Sequence, residues 1–200
     1  IKDLTQPNVD REVGILDQTA GSGLLFFSQD EEWLHFISAG SLARVRIEGG
    51  SLQAVNSELS VLRSGFTSFG DKIIFSDSTD GRLYSISVSG GEPSLLPSMI
   101  SDQSEGTRIF SWPRVLPGNT HLLVTSSNSE NRVGLGNIEV HSLETGEVTT
   151  VIQSASNATY LNSGHIVFIR DADLWAVPFD INGLNVVGSQ APIIEGIEVN

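Results

Sequence analysis

The chain has 200 residues, with 24 acids against 11 Lys and Arg, a net charge of −13 and no cysteine. Its few cations are scattered, which argues against nucleic-acid binding, a task for clustered Lys and Arg. The missing cysteines exclude disulfides and thiolate metal sites, and with no run of about 18 apolar residues, direct insertion into a membrane is not expected.

Residues 1–19 read as an extra N-terminal strand or the remnant of a preceding repeat. Ile1-Lys2-Asp3-Leu4 is no signal peptide and lacks an initiator Met, as expected of a processed chain or an excised piece. From residue 20 one pattern recurs four times. In the first unit (20–57) the strand Leu24 to Phe27 precedes a turn at Asp30, then Leu34 to Ile37, Leu42 to Ile47 and a Gly49-Gly50 turn. The second (62–99) runs Gly65 to Phe69, Gly70-Asp71, Lys72 to Phe75, Leu83 to Val88 and Gly90-Gly91.

The third unit (110–153) runs Trp112 to Leu116, Pro117-Gly118-Asn119, Leu122 to Thr125, Ile138 to Leu143, a turn at Glu144-Thr145-Gly146 and Val148 to Ile152. Polar stretches at 101–108 and 128–136 are expected at a rim. The fourth (155–195) runs Ala158 to Leu161, Asn162-Ser163-Gly164, His165 to Ile169, Leu174 to Phe179 and a turn over 180–183. Short β-branched or aromatic runs after turn residues are strand signals, and the alternation in Leu42, Leu83 and Ile138 onwards predicts half-buried strands. No stretch carries a sustained helical pattern; Leu59 to Leu62 is too short and serine-rich.

The strands that run into these closing turns begin at 42, 83, 138 and 174, which is 41, 55 and 36 residues apart. That brackets the roughly 40–50 residues of a four-stranded propeller blade. The fold class read from this is all-β, a β-propeller of about four antiparallel four-stranded blades. Pro113 conflicts with a central strand, because it cannot donate to a ladder, but suits an edge strand.

A search for chemistry finds little. His35, His121, His141 and His165 have no metal-site spacing and are expected at rims or edges. Asp77, Ser78, Asp80 and Gly81 lack the full ligand ladder of a calcium loop; Asp171-Ala172-Asp173 reads as a hairpin turn. Gly21-Ser22-Gly23 and Gly134-Leu135-Gly136 are turn and loop fragments, not phosphate cradles, and no nucleophile stands beside a base. Neither cofactor nor metal is expected. Trp33 and Trp175 are expected to pack between blades. Trp112, beside Arg114, is expected exposed at the funnel, and this pair is the candidate partner-binding site.

Four stretches carry a resemblance to a known family. Phe26 to Trp33 resembles an FSPDGxW turn, with Gln29 in place of the usual Pro and Glu31 in place of Gly. Gly81 to Pro93 resembles an LYxVxxxGGEP strand and turn, Trp112 to Gly118 resembles WPxFLPGG, and Tyr160 to Phe179 matches most closely. The family is that of the TolB-like (WD40-like) bacterial propeller repeats, as found C-terminal to membrane-anchored Ser/Thr protein kinases. The resemblance implies a partial ring of a six-bladed type, an extracytoplasmic location and a non-enzymatic scaffold for protein or peptide recognition. It implies a sensor or docking part of a receptor kinase, or a TolB-like envelope protein. The alternatives are the substrate-gating propeller of a prolyl-oligopeptidase-type peptidase and a metal-dependent propeller hydrolase. Open blade edges predict a homo-oligomer.

Overall fold

The computed structural model describes residues 25–38, 41–56, 59, 61–100, 108–128 and 136–196. Residues 1–19, Leu24, Gly21-Ser22-Gly23 and most of both polar stretches lie outside these. The first four strands, β1 (Leu25–Phe27), β2 (Trp33–Ser38), β3 (Ser41–Arg46) and β4 (Gln53–Asn56), form one antiparallel sheet in chain order. The second sheet is β5 (Val61–Phe69), β6 (Lys72–Asp77), β7 (Leu83–Ser87) and β8 (Ser94–Leu95), again in chain order. One helical turn follows, α1 (Pro97–Ile100), where no helix is expected from sequence.

The rest of the chain forms one continuous sheet that comprises two blades. It holds β9 (Arg108–Val115), β10 (His121–Asn128), β11 (Gly136–Ser142) and the 14-residue β12 (Val148–Leu161). The first part of β12 pairs with β11 as the outer strand of the third blade. Its last part pairs with β13 (His165–Arg170) as the inner strand of the fourth. The fourth blade continues through β14 (Asp173–Asp180), flanked by β15 (Asn185–Val186) and β16 (Ala191–Ile194).

The core lies between consecutive blades. Ile73 and Ile74 are neighbours on β6, so their side chains point to opposite faces. Ile73 packs with Leu42, Val55 and Phe66 toward the first blade, and Ile74 with Phe110, Leu122 and Val124 toward the third. Leu122 and Leu123 divide in the same way, Leu123 joining Ile138, Ile166 and Phe168. All four are fully buried, each worth about 1.5–3 kcal/mol relative to exposure. This two-sided burial corrects the half-buried expectation: β11 is buried from Ile138 through Ser142 without interruption.

The inner strands of the second, third and fourth blades share an irregularity that positions the site. On β9, Ser111 pairs with Thr125 and Arg114 with Leu123, so Trp112 and Pro113 together oppose Val124. This β-bulge absorbs the proline, which needs no ladder bond there. On β12 the same one-residue excess falls between Ser156 and Thr159. On β5 a register shift falls between Val61 and Phe66. Gly65, Trp112 and Asn157 occupy matching places and have positive φ, 110°, 55° and 48°. Glycine and asparagine tolerate that region; tryptophan rarely does.

Candidate binding site at the inner strands

The turn that follows each inner strand lies at the same end of its blade. In the third blade, Leu116 donates to the His121 carbonyl and Asn119 to the Leu116 carbonyl. Asn119, at φ 58°, then accepts a 2.7 Å hydrogen bond from Gln29 Nε2 in the corresponding turn of the first blade. The Gln29 turn is itself tied down: Ser28 bonds Asp30, and the Glu32 amide donates to Asp30 Oδ1 at 3.0 Å. These bonds hold the Asp30 carboxyl below its ordinary range.

Between these turns and the end of β12 lies a cleft of about 300 Å³. Among the described residues its polar lining is Gln29, Arg114, Asn119, Thr159, Tyr160 and Asn162, with no Asp or Glu. Tyr160 packs edge-on against Phe179 at 6.2 Å, which fixes its ring. Arg114 is half-buried; its Nη1 donates to the Pro113 carbonyl at 3.1 Å and to the Phe66 carbonyl at 3.4 Å. Burial pulls the Arg114 guanidinium below its usual range.

Trp112 is half-buried rather than open at the funnel. Its Cα and Cε3 lie 3.4 Å from where a Cβ on Gly65 would stand, and that Cβ would lie 3.6 Å from Arg114 Nη1. Trp112 thus touches the second blade and stands beside Arg114, while Arg114 is the member of the pair that lines the cleft.

The other aromatic and histidine expectations divide. Trp33 is half-buried, with Arg44 and Arg46 over its ring at 4.2 and 4.7 Å, because the three side chains share one face of the β2–β3 pair. Trp175 is half-buried against the cluster between the third and fourth blades. His121 and His165 stand at turns beside Thr120 and Ser163. His35 and His141, in contrast, are 0 % and 1 % exposed, because they fall on strands buried on both faces. His35 stacks on Phe26 at 4.9 Å, and among the described residues neither ring nitrogen has a hydrogen-bond partner.

Asp77 and Asp80 are turn residues: Asp77 accepts from the Thr79 amide at 2.7 Å, and Asp80 from the Arg82 amide and the Tyr84 hydroxyl. Asp171 and Ala172 both have positive φ, 51° and 63°, between paired Arg170 and Asp173, the geometry of a two-residue hairpin turn.

The structure also assembles a group that the sequence did not reveal. His141 Nδ1 lies 2.9 Å from Ser98 Oγ, and His141 Nε2 lies 3.1 Å from Glu139 Oε2. A carboxylate only accepts, so Nε2 carries a proton; in the neutral imidazole Nδ1 then accepts from the Ser98 hydroxyl. Arg108 Nη2 donates to Glu139 Oε1 at 2.6 Å. A hydroxyl, imidazole and carboxylate in series is the makeup of a hydrolytic triad. Here Ser98, His141 and Glu139 are 2 %, 1 % and 4 % exposed. A Cβ on Gly146 would fall 2.7 Å from the Pro97 carbonyl carbon and 2.9 Å from the Ser98 nitrogen. The tight turn at Gly146 therefore closes over α1, and the group ties α1 to β11.

No family model matches the sequence, and no curated protein does. Solved structures do. TolB from Acinetobacter baumannii is 14 % identical, with a TM-score of 0.62 over 86 % of this chain and 44 % of that one. The fold is a β-propeller. Regucalcin, a calcium-binding protein from Agrobacterium tumefaciens, is 14 % identical, with a TM-score of 0.59 over 85 % of this chain and 58 % of that one. A puromycin-hydrolysing peptidase from Mycobacterium tuberculosis is 10 % identical, with a TM-score of 0.60 over 86 % of this chain and 32 % of that one. The propeller described here thus spans less than two thirds of the length of each.

Proposed function

We propose that this propeller is a non-enzymatic scaffold that takes up a segment of another protein at the mouth where its inner-strand turns converge. The cleft bounded by Gln29, Asn119, Tyr160 and Asn162 carries this reading. A fixed tyrosine and several amides suit a peptide, which offers apolar side chains and main-chain donors and acceptors together. The net charge of −13 favours a protein or peptide over a nucleic acid. The enclosed Ser98–His141–Glu139 group supports a structural role over a catalytic one. A TolB-like envelope role accords with the fold; the kinase-linked context rests on the sequence resemblance alone.

Selection from a random peptide library displayed on phage tests the reading. Asn162 is exposed at the cleft, so Asn162→Trp should fill it without disturbing the core. Recovered peptides should bind this variant at least about tenfold more weakly, a loss of about 1.4 kcal/mol. No enrichment, or equal binding to the variant, would overturn the proposal.

A further inference from the structure

We infer that Arg114 is the receptor for one carboxylate of the ligand at this mouth, an inference that rests on the scaffold reading and deepens it. Among the described residues the cleft lining holds one cation and no acid, in a chain where acids outnumber Lys and Arg 24 to 11. Two described arginines meet carboxylates, Arg46 with Glu32 and Arg108 with Glu139, while the exposed hydrogen bonds of Arg44 and Arg170 go to amide and main-chain oxygens. The hydrogen bonds of the half-buried Arg114 side chain go to two main-chain carbonyls, both through Nη1, which leaves the rest of its fork to the cleft it lines. A guanidinium carries five donors in a planar fork matched to a carboxylate.

The energetics point the same way. A half-buried guanidinium without a counter-charge is disfavoured by desolvation, and the Arg114 shift has that single cause. An arriving carboxylate would offset the penalty with charge-assisted hydrogen bonds. The overall negative charge repels anions at a distance, but exposed charges are screened beyond about 8 Å at physiological salt. Discrimination is therefore local, set by Arg114 and by the amides of Gln29, Asn119 and Asn162. The cleft volume of about 300 Å³ is at the low end for ligand sites of about 300–1,000 Å³. It suits a chain terminus or one acidic side chain rather than a long segment.

The test uses the whole chain labelled with ¹⁵N, reading the arginine Nε–H signals, with the Arg114 signal assigned by its loss in Arg114→Gln. Three probes are titrated. N-acetylglycine presents a terminal carboxylate, N-acetyl-aspartate N-methylamide a side-chain carboxylate, and N-acetylglycinamide neither. The Arg114 signal should shift saturably with one or both carboxylates and not with the neutral amide; which of the two binds tighter names the source. Arg114→Lys keeps the charge but not the fork, and should weaken the carboxylate by about tenfold, read from the backbone amide signals of the cleft in both proteins. Equal shifts with the neutral amide, or none with either carboxylate, would overturn the inference. Peptides selected at the cleft alongside a silent Arg114 would overturn the carboxylate role and leave the scaffold reading standing. A carboxylate response without any selected peptide would do the reverse.

Discussion

Gly65 on β5 faces Trp112 on β9: the position of a Cβ on Gly65 lies 3.4 Å from both the Cα and the Cε3 of Trp112. The two residues sit at matching bulges of neighbouring inner strands, with φ of 110° and 55°. Space is not the obstacle to a side chain at residue 65, since 3.4 Å is an ordinary contact; the backbone angle is. Gly65→Ala should therefore lower stability by about 1–2 kcal/mol, read from the urea midpoint. An unchanged midpoint would show that the strand relaxes at no cost.

Trp112 holds the same backbone angle with a bulky side chain, where strain of about 1–3 kcal/mol is expected. Asn157 occupies the matching place on β12. Trp112→Asn should thus lose ring packing but regain part of that cost, and should be less destabilising than Trp112→Val, whose branched Cβ suits positive φ least. The two variants compared in one denaturation series check this; the reverse order would contradict it.

His35 predicts a pH dependence. Burial, reinforced by Arg44, holds its imidazole down at about 4, with Asp30 pulling the other way. The unfolded chain takes up a proton near 6.5 and the folded chain only near 4. Between these values the unfolded state binds more protons, so stability rises with pH across that window and is fully present above it. The contribution is at most about 3 kcal/mol. His35→Phe keeps the stack on Phe26 and should flatten the profile between about pH 4 and 6.5. An unchanged slope in that variant would assign the dependence to another group.

The Ser98–His141–Glu139 group makes two predictions. Glu139→Ala removes the carboxylate that both Arg108 Nη2 and His141 Nε2 bond and should cost about 3 kcal/mol, the lower end for a broken buried pair, because the Arg108 side chain is 31 % exposed and keeps Ser126. A fluorophosphonate probe should leave Ser98 unmodified in the native protein. Labelling that Ser98→Ala abolishes would convert the group from a structural tie to a nucleophilic site.

β16 makes a prediction about association. All four of its residues are exposed, Ile193 and Ile194 at 54 % and 52 %, and among the described residues it pairs only with β14. We expect concentration-dependent self-association by light scattering, reduced in an Ile193→Lys, Ile194→Lys double variant. A monomer at all concentrations would contradict it.

The strands were legible in the sequence because each is a short β-branched or aromatic run between turn residues, as Lys72 to Phe75 lies between Gly70-Asp71 and Asp77. The two-sided burial of β11 was less so, since Glu139 and His141 looked like the polar half of an alternation. They share one face of a strand whose other face is buried as well, and such a pair is a signal of an internal network. Their third partner, Ser98, lies 43 residues from His141, a distance local patterns do not encode. Arg114 was singled out through its neighbour Trp112. Its cleft was not visible, because Gln29 and Asn119 meet across 90 residues of chain.

Hydrogen–deuterium exchange with the tightest selected peptide tests the central claim most directly. The account predicts peptide-dependent protection confined to the turn at Gln29 and to residues 114–119 and 159–162, the three arms of the cleft. Protection centred on β16 or on the outer strands, with the inner-strand turns unchanged, would contradict it.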